Sequence, residues 1–75
     1  MMFYMVIEHY EAYSVEIGDT LRIEDHDWVV VRIVVDEELF GDYLYMVLQD
    51  EEGELKAILT EDTAKLPVLC MQVED

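Results

Sequence analysis

The chain has 75 residues and a formal charge of -15, with 19 acidic side chains against four basic ones, Arg22, Arg32, Lys56 and Lys65. Hydrophobic residues make up 53% and proline occurs once, which excludes an acidic disordered tail and predicts one small domain over 1-75 with a packed core. An acidic surface is repelled by anionic lipid and by nucleic acid, so neither membrane association nor direct nucleic acid binding is expected; a basic partner fits the charge.

Residues 1-13 open with "MMFYMVIEHY". No Lys or Arg precedes the apolar run and no small-residue cleavage site follows it, so it reads as neither a signal peptide nor a membrane span. Phe3, Ile7 and Tyr10 follow helical spacing while "FYMVI" equally suits an edge strand, so the segment is expected either as a helix packed on a sheet or as an edge.

From Val15 onward short strands alternate with acidic turns. "SVEIGDTLRI" sets Gly18-Asp19 between two β-favouring runs, and "EDHD" separates Ile23 from the long run "WVVVRIVV". "DEELFGD" leads to "YLYMVLQ", which "DEEG" turns back into "ELKAILT". "EDTAK" reads as one helical turn or loop, and "LPVLCMQV" as a last strand with Pro67 at its start or on an edge. The fold predicted is mainly β, a small antiparallel sheet of about five strands in an up-and-down meander, flat or curled into a barrel.

Alternation assigns faces. Val29, Val31, Ile33 and Val35 are predicted to share the core face with Leu44, Met46, Leu48, Leu55, Ala57 and Leu59. The opposite face then holds Trp28, Val30, Arg32, Val34, Tyr43, Tyr45, Val47, Lys56 and Ile58. It is too apolar to be bare, so the N-terminal segment, barrel closure or a second molecule must cover it.

Alternate turns of a meander lie at one end. Glu24, Asp25 and Asp27 should therefore join Asp50, Glu51, Glu52 and Glu54 at one pole, while Asp36, Glu37, Glu38, Asp42, Glu61 and Asp62 gather at the other. Duplex DNA carries one charge per about 1.7 Å of axis, and such a pole imitates the electrostatic outline of its backbone.

Catalytic and cofactor motifs are absent, so the chain is read as a non-enzyme without cofactor. Ser14 is the one serine, no glycine-rich phosphate loop exists, and His9 and His26 have no cysteine companions at metal-ligand spacing. Adjacent strand positions in "EDHD" point to opposite faces, against a metal site there. Cys70 is the lone cysteine, set among apolar neighbours, and reads as an inert thiol in a reducing, cytoplasmic compartment.

The stretch "YLYMVLQDEEGELKAIL", 17 of 75 residues, resembles the C-terminal strand, Asp-x-x-Gly turn and strand of the phage uracil-DNA glycosylase inhibitors. The resemblance implies a DNA mimic whose acidic edge strand enters the enzyme's DNA-binding cleft while an apolar pocket captures a protruding leucine. In this chain Glu24 and Asp25 of "LRIEDHDW" would supply the edge, and "FYMVI" or the Trp28 to Tyr45 face the pocket. "IGDTLRI" followed by "WVVVRIVV" looks instead like the small SH3-like barrels, which concerns fold alone. The function expected is inhibition of a DNA-processing enzyme: a uracil-DNA glycosylase first, otherwise a restriction enzyme or CRISPR effector. Glu24, Asp25, Asp27, Asp50, Glu51, Glu52 and Glu54 would provide the acidic contacts, and Trp28, Tyr43, Tyr45, Val47, Phe3 and Met5 the apolar ones. The alternative is an adaptor or homodimer that uses the aromatic face Trp28, Tyr43 and Tyr45, its acids serving solubility.

Overall fold

The computed structural model describes residues 1-75. Six strands form one antiparallel sheet: β1 (Met2–Glu11), β2 (Thr20–Ile23), β3 (His26–Val35), β4 (Tyr43–Gln49), β5 (Leu55–Glu61) and β6 (Lys65–Glu74), in the spatial order β1-β6-β2-β3-β4-β5. A 3-10 turn, Ala12–Ser14, follows β1, and a single helical turn, α1 (Glu37–Phe40), joins β3 to β4. The Asp36 carboxylate caps α1 by accepting from the Glu38 and Leu39 amides. No helix is long and apolar enough to cross a membrane.

Strands β2 to β5 follow the expected meander, but β6 does not continue it. It returns to lie between β1 and β2. Only Asp62, Thr63 and Ala64 separate β5 from β6, and four Cα steps reach at most about 14 Å. Four flat strand spacings would need about 19 Å, so the sheet has to curl. The Ala12 amide donates to the Ala64 carbonyl at 2.8 Å and the Tyr13 amide to the Asp62 carbonyl at 3.0 Å, holding the link in place. Strands β5 and β6 do not pair, and the result is a barrel-like curl left open on that side.

The N-terminal segment is a strand, not a helix. Residues 2-11 pair along their whole length with β6, from Met2 opposite Glu74 to Glu11 opposite Lys65. Helical spacing at Phe3, Ile7 and Tyr10 is overridden because the ten-residue β6 offers a full hydrogen-bonding ladder. The segment therefore extends the sheet at its edge and does not cover a face.

The predicted core is right for β4 and for Ile33, which packs against it, and wrong for the rest of β3 and for β5. Leu44, Met46 and Leu48 are buried, together with Ala12, Val15, Leu21, Val30 and Val68. Val29, Val31 and Val35 are instead exposed, as are Leu55 and Leu59. On β3 the cause is a bulge at Val31, since Val30 faces Leu48 yet Arg32 faces Val47; Val35 keeps the side of Ile33 and is exposed at the strand's end, while on β5 the register with β4 sets Leu59 opposite Tyr45 and Leu55 opposite Gln49. One inserted residue reverses the parity of everything beyond it. The inner face accordingly runs through Trp28, Val30, the bulge and Ile33, and on β5 it takes Lys56 and Ile58, which pair with Leu48 and Met46. Along its two edges β3 pairs with β2 from His26 to Val29 and with β4 from Val29 to Val35.

The same bulge dissolves the aromatic face. Trp28 packs against the core from the inner side, with the Lys56 ammonium 5.4 Å from its ring centre and the His26 ring at 5.3 Å. Tyr45 and Val47 lie on the opposite, outer side with Tyr43. Phe40, unremarked in the sequence, stacks on Tyr45 with ring centres 5.8 Å apart, so α1 partly shields that side.

Candidate functional site: an acidic cleft between two turns

The first acidic pole forms as predicted. Ile23 pairs with His26, leaving Glu24 and Asp25 as a two-residue hairpin loop with φ of 53° and 61°. Two positive φ values are those of a type I′ turn, which matches strand twist and prefers Asn-Gly. Here two acids occupy it, in a left-handed conformation that costs non-glycine residues energy. The local fold does not ask for carboxylates at these positions. Replacing Glu24 with Asn and Asp25 with Gly is therefore expected to stabilise the chain by about 1–2 kcal/mol, read as a melting temperature about 5–10 °C higher.

The second turn separates its acids by task. Asp50 Oδ1 accepts from the Glu52 and Glu54 amides at 2.9 and 2.8 Å, and the Asp50 amide donates to the Glu54 carbonyl at 3.0 Å. Gly53 supplies φ +86°, and Gln49 Nε2 donates to its carbonyl at 3.2 Å. Asp50 and Gly53 build the turn, and the Asp50 side chain is only 6% exposed. Glu51, Glu52 and Glu54 are exposed and make no side-chain hydrogen bond or ion pair.

The two turns meet. His26 Nε2 lies 3.5 Å from Asp50 Oδ2, and between the hairpins opens the molecule's one cleft, about 340 Å³, lined by Arg22, Asp25, His26, Asp27, Glu51 and Glu52 without a single hydrophobic side chain. Arg22 is not free to neutralise it, because its guanidinium is paired with Asp27. That pairing raises the Arg22 pKa further above its already high ordinary value. Asp25, Glu51 and Glu52 are left as the cleft's uncompensated carboxylates, with Glu24 and Glu54 exposed on the same two turns.

Each sequence-predicted site residue can now be placed. Glu24, Asp25, Glu51, Glu52 and Glu54 gather at this pole as outward-facing acids. Asp27 and Asp50 belong to it too, but their carboxylates serve an ion pair and a turn. The apolar set does not converge: Trp28 lines the inner side, Tyr43, Tyr45 and Val47 the outer side of β4, and Phe3 and Met5 lie on β1. The expectation of a Glu24 and Asp25 edge strand is overturned as well, since β2 lies between β6 and β3 and the two acids sit on a hairpin tip. Nor does an apolar pocket exist for a captured leucine, the one cleft being polar throughout.

The second pole is looser. The Asp62 amide donates to the Asp42 carbonyl at 2.9 Å, bringing the links after β3 and β5 together. Tyr43 Oη donates to Glu61 Oε1 at 3.2 Å, and that hydrogen bond, with the carboxylate's charge behind it, pushes the phenol pKa up. No cleft forms there. Groups of three or more side chains able to hold a metal ion are found at neither pole.

Comparison with protein-family models, with curated proteins and with solved structures yields no match.

Proposed function

We propose that this chain is an acidic mimic of nucleic acid that occupies the basic DNA-binding groove of a DNA-processing enzyme through the pole built by the Glu24-Asp25 and Asp50–Glu54 turns. The observation that carries this reading is the cleft itself: two hairpin tips press unpaired carboxylates around a space of about 340 Å³, large enough for an Arg or Lys side chain of the groove. Clustering like charges opposes folding of a chain that already carries -15. Placing two of them in a turn that prefers Asn-Gly adds strain to that cost. Charges kept against both penalties are charges put to use.

The competing reading, an adaptor binding through Trp28, Tyr43 and Tyr45, loses its surface because Trp28 lies on the other side of the sheet from the two tyrosines. The test is displacement of labelled duplex from a panel of purified enzymes, a uracil-DNA glycosylase first and then a restriction endonuclease and a CRISPR effector nuclease. The chain is expected to displace duplex from at least one in 50 mM NaCl. Failure against the whole panel overturns the proposal. Where it binds, raising NaCl to 200 mM should weaken the complex by at least about tenfold, because the contacts are exposed ion pairs between large opposite charges. A salt-insensitive complex would rule out groove mimicry.

A further inference from the structure

The exposed apolar surface of this molecule is concentrated where β1 and β6 run on beyond the rest of the sheet. Strand β2 pairs with β6 only at Leu21 and Val68, so residues 1-7 and 69-74 form a two-stranded ribbon. Phe3, Met5 and Met71 on one of its sides are 60, 52 and 62% exposed, and Met2 and Tyr4 on the other are 61 and 41%. Apart from Glu74, which ends β6 opposite Met2, neither Met1–Ile7 nor Leu66–Val73 contains a charged side chain. On a chain of charge -15 the ribbon is thus a stretch that another copy can approach without carboxylates facing carboxylates.

The outer edge of the ribbon is β1, a terminal strand of the sheet ten residues long. Edge strands are normally guarded against pairing by charged side chains, proline, a bulge or short length; in β1 the charges, Glu8 and Glu11, are confined to its second half, and Met2 to Ile7 hold neither a charge, a proline nor a bulge. The other edge, β5, is guarded: it is seven residues long, holds Lys56 and Glu61, and follows Glu54. At about 200 Å² for each large side chain, Phe3, Met5, Ile7, Met71 and Val73, which share one side of the ribbon, leave on the order of 500 Å² of apolar surface exposed. A patch of that size, about 500 Å², is at the upper end of what a monomer leaves bare, and it runs directly to the unpaired edge of β1.

We infer that β1 is a homodimerisation edge, which pairs antiparallel with β1 of a second copy to make one continuous sheet. A two-fold axis near Met5 sets Phe3 opposite Ile7 of the second copy, apolar against apolar. It also keeps the two Glu8 carboxylates about 20 Å apart along the strands, six residues at about 3.3 Å each. The dimer holds or fails independently of what the acidic cleft binds.

Sedimentation velocity on the full chain tests this. A dimer is expected at a chain concentration of about 100 µM, where even a weak pairing with a dissociation constant on the order of 10 µM is mostly occupied. Its dissociation constant should tighten at least about threefold between 50 and 500 mM NaCl, since salt screens the mutual repulsion and leaves the apolar contact intact. This is opposite in sign to the response expected of the acidic cleft with a basic partner. Met5→Lys puts two ammonium groups at the centre of the pairing and should weaken the dimer at least about tenfold. Leu59→Lys, on β5 and 55% exposed, should leave it unchanged. Circular dichroism confirms folding, with Phe3→Lys taking the place of Met5→Lys if the latter is not folded. A parent chain monomeric at both salt concentrations overturns the inference, as does a dimer that survives the β1 lysine or one that Leu59→Lys disrupts equally.

Discussion

Replacing Met46 with alanine is expected to leave the chain largely unfolded at room temperature. Met46 is fully buried on the inner face of β4, between β3 and β5, and only seven other residues are buried with it. It pairs with Ile33 on one side and Ile58 on the other, so the cavity left behind would open between two strands at once. Truncating a buried methionine costs about 2–5 kcal/mol, and a domain of this size has only about 3–5 kcal/mol to lose. Repulsion among the carboxylates reduces that margin further. The loss is read as a flattened thermal melt and a far-ultraviolet spectrum without the parent's strand signal, and 0.5 M NaCl should partly restore both by screening the repulsion. Leu59→Ala, on an exposed site of the edge strand, is expected to stay within about 0.5 kcal/mol of the parent. A cooperative melt for Met46→Ala within a few degrees of the parent would show that the core lies elsewhere.

Those two positions also mark how far the sequence could be read. Strand β4 alternates buried and less buried residues without a break from Leu44 to Leu48, and its faces follow from parity alone. From Trp28 to Val35 strand β3 is a run of apolar residues interrupted only by Arg32, and a bulge inside such a run leaves no mark on the pattern. Leu59 falls outside because the β4–β5 register sets it opposite Tyr45, and parity carried from Ile33 back across Val31 puts Val29 inside and Val30 outside, the reverse of where they lie. The error spread to function, because it set Trp28 beside Tyr45. Strand β1 was undecided for a different reason: its partner lies more than 50 residues away, and the ladder with β6 is a long-range fact that no local spacing contains. Phe40 was missed because a single aromatic in an acidic link carries no periodicity at all.

The acidic pole was legible because it depends only on the number of turns between strands. The bulge alters which way side chains point along β3 but not the end of the sheet at which a turn arrives, so the hairpins at Glu24-Asp25 and at Asp50–Glu54 meet whatever the faces do. Their division of labour was not legible. Asp50, Glu51 and Glu52 look alike in sequence, and only the hydrogen bonds from the Glu52 and Glu54 amides show that the first of them holds the turn.

That division decides how the proposed function is best challenged by mutation. Reversing Glu24, Asp25, Glu51 and Glu52 to Lys is expected to abolish binding to the enzyme whose groove the chain occupies, by at least about a hundredfold, since like charges across such an interface cost several kcal/mol. Asp27 and Asp50 are left alone, because their loss would release Arg22 or break the turn and confuse folding with recognition. Glu24 and Asp25 carry positive φ, where Lys is strained as Glu is and more than Asp, and the melt measured beside each variant reads that cost separately from binding. The matched control reverses Glu37, Glu38, Asp42 and Glu61, which are exposed at the second pole, and brings the same change in net charge. Under the cleft reading this control loses no more than about tenfold, the share owed to long-range steering of the encounter. Displacement of labelled duplex, measured beside a thermal melt for each variant, separates the outcomes. Equal losses from both sets would mean that a diffuse negative field is sufficient and the cleft has no special part, whereas full retention by both would discard mimicry altogether.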